Sequence, residues 1–419
     1  MKTFLKLIKL SVYYDIEKTS NGLSSDFKYY QRLFRWLLFF MAAPISLLIW
    51  LGFQILSRKY KISIYVLPTY RPGIASMYLS TIEPLCRKLQ YINNPKHFTI
   101  LINPQEEISQ TLTKSYEPHF SLYLDDRRKF ARLVAYLIPQ KGIEKLYLTG
   151  KREFDNGWFY PQSRNYLNQG IRVPNDLKKL SIEIGNYVLF VHGSSNYYRK
   201  RFPESFVKSL SQANVDLANY EQPLFALVKQ GLQIVRVGTH VDALPNSMMN
   251  LPIIDYAQGK RMETSELWLY ENCKILVSVA NGAFWFARRF NRPTIITDSQ
   301  TFVHRYFSTF YTPSLIRDIK TNKLLSFRQM VRLGKNFDLG SLEKMRVSGL
   351  QRIENSPSSL TASIKETLDY ANGLIHLDST DKELLEKYNN FCQEVGFVFN
   401  ENTTRPALSF LREHSRLLD

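Results

Sequence analysis

From residue 62 onward, short continuous apolar runs alternate with longer stretches in which apolar residues recur every three or four positions. The runs Ile62 to Val66, His97 to Ile102, Tyr187 to Val191, Leu232 to Val237, Lys274 to Val279 and Thr294 to Thr297 read as strands. Between them, residues 74–90, with Met77, Ile82 and Leu85, and residues 127–138 read as helices. So do residues 216–230, with Gly231 as a C-terminal stop, residues 264–272, with Thr264 as a cap, and residues 283–290. Two closing helices are predicted over 357–375 and 380–393. Strands alternating with helices predict an α/β fold with parallel sheets. Residues 150–180, with Trp158, Tyr160, Pro161 and Pro174, break the alternation. They predict a boundary between two domains, 60–175 and 180–419.

One run does not fit this pattern. Trp36 to Leu56, WLLFFMAAPISLLIWLGFQIL, is 21 residues without a charge. As a straight helix it would reach about 32 Å, close to the hydrocarbon thickness of a bilayer. A membrane anchor over 36–57 is therefore expected, preceded by a basic segment over 1–35. A spanning helix is the default reading. Pro44, with Ala42, Ala43 and Ser46 around it, also allows a bent, re-entrant or in-plane segment, and a buried core helix is a third reading. Residues 1–35 carry seven Lys/Arg and three Asp/Glu, and basic residues flank the run on both sides, so charge does not fix orientation. Lys2, Lys6 and Lys9, interleaved with Phe4, Leu5, Ile8 and Leu10, fit either a basic amphipathic helix on anionic lipid or a solvated tail.

Composition narrows the partners. The net charge of +18 is spread along the chain without a long basic block, which favours anionic lipid or phosphate-bearing ligands over nucleic acid. Cys86, Cys273 and Cys392 are too far apart to suggest a disulfide framework or a metal site.

Candidate chemistry lies at strand ends. Ser278, Asn281 and Gly282 follow the Lys274 to Val279 strand and open a helix, a place where α/β sheets bind phosphates. The alternative is an ordinary glycine turn. His192 ends the Tyr187 to Val191 strand and is a candidate general base, or a capped structural histidine. Arg199, in the same loop, is a candidate phosphate ligand or part of a solvated basic loop. Arg236 and Gly238 close the next strand as candidate donor contacts. Asp255 follows as a second candidate base, a ribose ligand or a turn cap. No dinucleotide or P-loop fingerprint occurs. Asp125-Asp126 superficially resembles the metal-binding acidic pair of GT-A glycosyltransferases, but Arg127-Arg128 beside it favour a solvated helix start. No metal and no cofactor are expected.

Taken in order, several blocks resemble a bacterial glycosyltransferase family of surface-polysaccharide settings, GT-B-like and distantly similar to O-fucosyltransferases. They are NVDLANYEQPLFALVKQGLQIVRVG over 214–238, DYA over 255–257 and ENCKILVSVANGAFWFARRFNRPTI over 271–295, followed by FYTPSLIRDIKTNKLLSFRQMVRLG over 310–334, IENSP over 353–357 and the tail ALSFLREHSRLL. The resemblance covers roughly 62–415. It implies two Rossmann-like domains facing across a cleft, a nucleotide-sugar donor and a lipid-linked or cell-surface glycan acceptor. With the anchor, it implies a catalytic body on the cytoplasmic face of the inner membrane. The chain departs from the family pattern where it matters. The strand-end loop, usually H-x-R-D-S-x-Y, carries Gly193 and Ser194 at the Arg and Asp positions. Ala213 replaces an Arg, and the SG turn is Ala280-Asn281-Gly282. Arg199 or Arg236 would have to supply the lost charge. The alternative is a catalytically inactive glycan-binding or scaffold relative. The anchor also resembles the bent membrane segment of phosphoglycosyltransferases, whose soluble signatures are not visible downstream.

Overall fold

The computed structural model describes residues 61–66, 97–103, 122–125, 173–199, 204–210, 215–259, 261–279, 281, 284–290, 292–299, 309–336, 341–396 and 405–418. The expected anchor, the basic segment before it, the helices at 74–90 and 127–138, and Gly282 lie outside these residues. Among the described residues no helix is long and apolar enough to cross a membrane. The chain divides into two compact units, with strands β1 to β3 in one and everything from Val173 onward in the other.

The first unit contains a parallel sheet of β1 (Lys61–Val66), β2 (His97–Asn103) and β3 (Leu122–Asp125), in that order. Ile64 sits opposite Ile100, and Ile102 opposite Leu124. Asp125 therefore ends a strand; the expected helix start after it lies outside the described residues. Four residues are too short a run to stand out as a strand in sequence.

The second unit is built on a seven-stranded parallel sheet. Its strands are β4 (Tyr187–Val191), β5 (Gln233–Arg236), β6 (Ile253–Asp255), β7 (Ile275–Val279), β8 (Thr294–Ser299), β9 (Thr309–Pro313) and β12 (Arg405–Pro406). A separate antiparallel pair, β10 (Leu315–Asp318) and β11 (Leu350–Ile353), stands beside it. In space the large sheet runs β12-β9-β8-β7-β4-β5-β6. The chain starts in the middle at β4, winds outward through β5 and β6, then returns to the other side of β4 with β7.

Both faces of this sheet are covered, which explains the continuous apolar strands. Tyr187, Leu189 and Val191 point into one core with Leu276 and Ile296. Val188 and Phe190 point into the other with Ile275, Val277 and Val279. Each such side chain contributes roughly 1.5–3 kcal/mol by burial.

Helix boundaries follow local chemistry. The 216–230 stretch divides into a 3-10 turn, Leu217–Tyr220, and an α-helix, Glu221–Lys229. Asp216 caps the turn by accepting from Ala218 N at 3.0 Å. Pro223, which lacks an N–H, is tolerated because it lies in the first turn of the α-helix. Gly231, at φ +79°, closes the helix as expected. The helix at Glu263–Asn272 starts one residue before Thr264, so Thr264 does not cap it. The first closing helix, Pro357–Ala371, is capped by Ser356 and ends earlier than predicted, at Asn372-Gly373. The second, Ser379–Glu394, carries a capping box of Asp378 and Asp381.

Candidate functional site

The strand order reverses between β4 and β7. In open α/β sheets the crevice at the carboxyl ends of two such strands is where ligands bind, because the loops leaving them diverge to opposite faces. Val191 is the register partner of Ser278, so His192 and the turn at Asn281 leave the sheet side by side. Sequence reasoning had singled out both residues, but the topology that makes them neighbours was not visible in sequence.

His192 packs edge-on against Tyr220, with ring centroids 5.5 Å apart at 82°. Its Nε2 is buried and has no hydrogen-bond partner among the described residues. Burial brings its pKa down to about 4; backbone hydrogen bonding at Gly193 and Val215 and the Asp242 charge oppose the shift, and the Arg236 charge acts with it. The imidazole is therefore neutral at pH 7, with a nitrogen unsatisfied beside the crevice.

The other wall is held rigidly. Ser278 Oγ lies 2.8 Å from the Val279 carbonyl and 3.2 Å from Asn281 Oδ1, which compete for its single proton. Thr297 Oγ1 donates to the Ser278 carbonyl at 3.2 Å, and the Tyr220 hydroxyl is 2.6 Å from Thr297 Oγ1. Ser278 is fully buried, so it supports the turn and leaves Asn281 half-exposed at the rim. Tyr220 touches both walls, and nothing in its sequence context signals that role.

Arg236 and Asp255 are register partners on β5 and β6. Side chains of paired positions share a face, so the two meet, with Nη1 3.0 Å from Oδ2. Arg236 is only 1% exposed and also donates through Nη2 to the Asp242 carbonyl. The structure thus places these two predicted site residues against each other, Arg236 buried and Asp255 partly exposed. Asp255 Oδ1 and Arg236 Nε are buried with no hydrogen-bond partner among the described residues.

Beyond β5 the chain makes a tight turn. Gly238 has φ +149°, and a Cβ there would lie 2.6 Å from Val241 Cγ1, so glycine is required. His240 also has positive φ, at +53°. This turn grips the loop after β4. Ser194 Oγ donates to the His240 carbonyl at 2.7 Å, and Ser195 N donates to Asp242 Oδ2 at 3.1 Å. Arg199 lies on the following five-residue helix, Ser195–Arg199. It is half-exposed, pairs with Glu204 at 3.1 Å and donates to Ser195 Oγ at 3.0 Å. Asn196, Arg199, His240 and Val241 line an open cavity of about 330 Å³.

A second buried polar cluster ends β8. Asp298 Oδ1 accepts from Asn355 N at 2.8 Å, Asn355 Nδ2 at 3.0 Å and Ser314 Oγ at 3.2 Å. Its Oδ2 has no hydrogen-bond partner among the described residues, its φ is +49°, and burial raises its pKa to about 6. Asn355 is the Asn of the IENSP block, so that block was a sequence signal of this cluster, although its partner was not apparent.

No family model matches this chain, and neither does any curated protein. Among solved structures it is similar to E. coli ADP-heptose LPS heptosyltransferase II, with 17% identity over 56% of this chain and 84% of that one, at a TM-score of 0.32. It is also similar to E. coli heptosyltransferase WaaC with ADP, with 12% identity over 60% of this chain and 91% of that one, at 0.34. A third is the dodecameric iron-containing heptosyltransferase TibC in complex with ADP-D-beta-D-heptose, with 14% identity over 61% of this chain and 63% of that one, at 0.32. Similarity at this level assigns neither fold nor activity.

Proposed function

We propose that this chain is a GT-B-type glycosyltransferase that moves a sugar from a nucleotide-activated donor to a lipid-linked or cell-surface glycan acceptor. The observation that carries the reading is the reversal of strand order between β4 and β7, at whose carboxyl end stands a neutral histidine whose Nε2 has no hydrogen-bond partner among the described residues. The order and spacing of the sequence blocks support it. The donor diphosphate would lie over Asn281, with Arg199 a candidate source of positive charge, since its exposed pairing with Glu204 is weak. The acceptor oxygen would attack the anomeric carbon as the bond from that carbon to the donor phosphate oxygen breaks. Its proton would pass to His192 Nε2, and the nucleoside diphosphate would depart with its negative charge. No metal is required by this reading. The segment 36–56 would hold the body at the cytoplasmic face of the inner membrane.

A pKa of about 4 makes free His192 a weak base. A diphosphate a few ångströms away favours the imidazolium and would move it towards the useful range. Donor binding would then both deliver the electrophile and tune the base.

A second reading is a catalytically inactive glycan-binding or scaffold relative. It is favoured by Gly193 and Ser194, where an Arg and an Asp are usual, and by the commitment of Arg236 to Asp255. Transfer and donor-hydrolysis assays across a panel of nucleotide sugars separate the two. The enzyme reading predicts turnover with at least one donor, lost roughly 100-fold or more in His192→Asn. Glycan binding with no turnover on any donor would establish the scaffold.

A further inference from the structure

We infer that Asp242 is a positioning residue for His192, acting through the turn after β5 as a strap over the loop that carries the base. This deepens the transferase reading and rests on His192 as its base. Four hydrogen bonds make the strap. Asp242 Oδ2 accepts from Ser195 N, Asp242 Oδ1 accepts from Ser195 Oγ, Ser194 Oγ donates to the His240 carbonyl, and Arg236 Nη2 donates to the Asp242 carbonyl. Arg236 is itself fixed by Asp255 on β6. The base loop is therefore tied to two neighbouring strands through one carboxylate and one guanidinium.

The path of the turn is specified for this purpose. Gly238 adopts a backbone conformation closed to other residues, with no room for a Cβ, and His240 tolerates positive φ. Neither feature is needed merely to connect β5 to β6, which are separated by a long connection through Met248. Both are needed to bring Asp242 back over Ser195, 47 positions away in sequence. The strap adds to what the loop after β4 has of its own: a five-residue helix, Tyr198 packed on Val207, and the Arg199–Glu204 pair. Glycine at 193 adds no side-chain anchor.

Charged and titratable groups facing His192 come from each element around it: Arg236 from β5, Asp242 from the turn and Tyr220 from the 3-10 turn. Freeing the strap would let water reach the imidazole, and relief of desolvation would outweigh loss of the distant Asp242 charge.

The test uses the full chain labelled for NMR, with Asp242→Ala and Asp242→Asn. In Asp242→Ala, Ser195 amide exchange should accelerate roughly tenfold or more, as a locally opened segment does. The His192 titration midpoint should rise by about one unit or more as its environment becomes wetter. Asp242→Asn, whose amide oxygen still accepts from Ser195, should keep both close to the parent. If Asp242→Ala leaves Ser195 exchange and the His192 midpoint unchanged, the strap is refuted. A change in overall melting temperature without either local change also refutes it. These readouts need no turnover. If the strap behaves as described but His192→Asn retains full transfer activity, it is the transferase assignment of His192 that fails.

Discussion

Two polar clusters sit at the carboxyl edge of the same sheet, and burial acts on them in opposite senses. At the end of β4, burial strips charge from His192 and lowers its pKa to about 4. At the end of β8, burial holds the proton on Asp298 and raises its pKa to about 6. Among the described residues, His192 Nε2 in one cluster and Asp298 Oδ2 in the other are buried without a hydrogen-bond partner. The surroundings differ. His192 stands at the strand-order reversal, and the loop it opens leads on to an open cavity lined by Asn196, Arg199, His240 and Val241. Around Asp298 lie Asn355, Ser314 and Arg352, a closed set that joins β8 to the β10–β11 pair. An unsatisfied atom in itself does not mark a binding site. It does so where the topology leaves room for a ligand.

The comparison is broken most severely through Arg236, which lies behind the first cluster. Arg236→Ala strands the Asp255 carboxylate and removes the anchor of the strap. It should destabilise the protein by about 3–5 kcal/mol, read from denaturant midpoints. A loss below about 1 kcal/mol would show that the pair is not structural.

Next come the pH slopes. His192 binds its proton at about 4 in the native state and at 6.5 in an unfolded chain. Its contribution is complete above 6.5 and is lost as pH falls towards 4, by about 3 kcal/mol in all. Asp298 binds its proton at about 6 in the native state against 3.8 unfolded, so its cost appears as pH rises through that window and is full above 6. The two effects oppose each other between pH 4 and 6. Urea midpoints across pH should separate them. His192→Gln should flatten the acid-side loss. Asp298→Asn should gain stability relative to the parent at pH 8 and none below pH 4. Parallel curves for all three proteins would contradict the assignment.

The smallest effect is at the surface. Arg199 and Glu204 are each about half-exposed, so Arg199→Ala should change stability by less than about 1 kcal/mol. Its donor affinity should nevertheless fall, measured by calorimetry, if Arg199 supplies charge to the crevice.

Much of the fold was legible in the sequence because β4, β5, β7 and β8 are buried on both faces, which demands unbroken apolar runs. β6 has three residues and β12 two, too few for a pattern. β10 and β11 carry Arg317, Asp318, Gln351 and Arg352, so they read as polar connections. The site was legible where chemistry sits at a strand end, as with His192 and Asn281. It was not legible where partners come from separate elements. The Arg236–Asp255 pairing depends on the β5–β6 register. Asp242, Tyr220 and Asp298 acquire meaning only from the residues that packing brings to them.

The central claim is that the crevice between β4 and β7 receives a nucleotide diphosphate beside His192. The most direct measurement is the NMR titration of the His192 imidazole with and without saturating ADP, UDP or GDP. The account predicts that at least one of them binds, raises the His192 midpoint from about 4 and shifts the Asn281 amide. Failure of all three to bind, or saturable binding that leaves His192 and Asn281 unmoved, would contradict it.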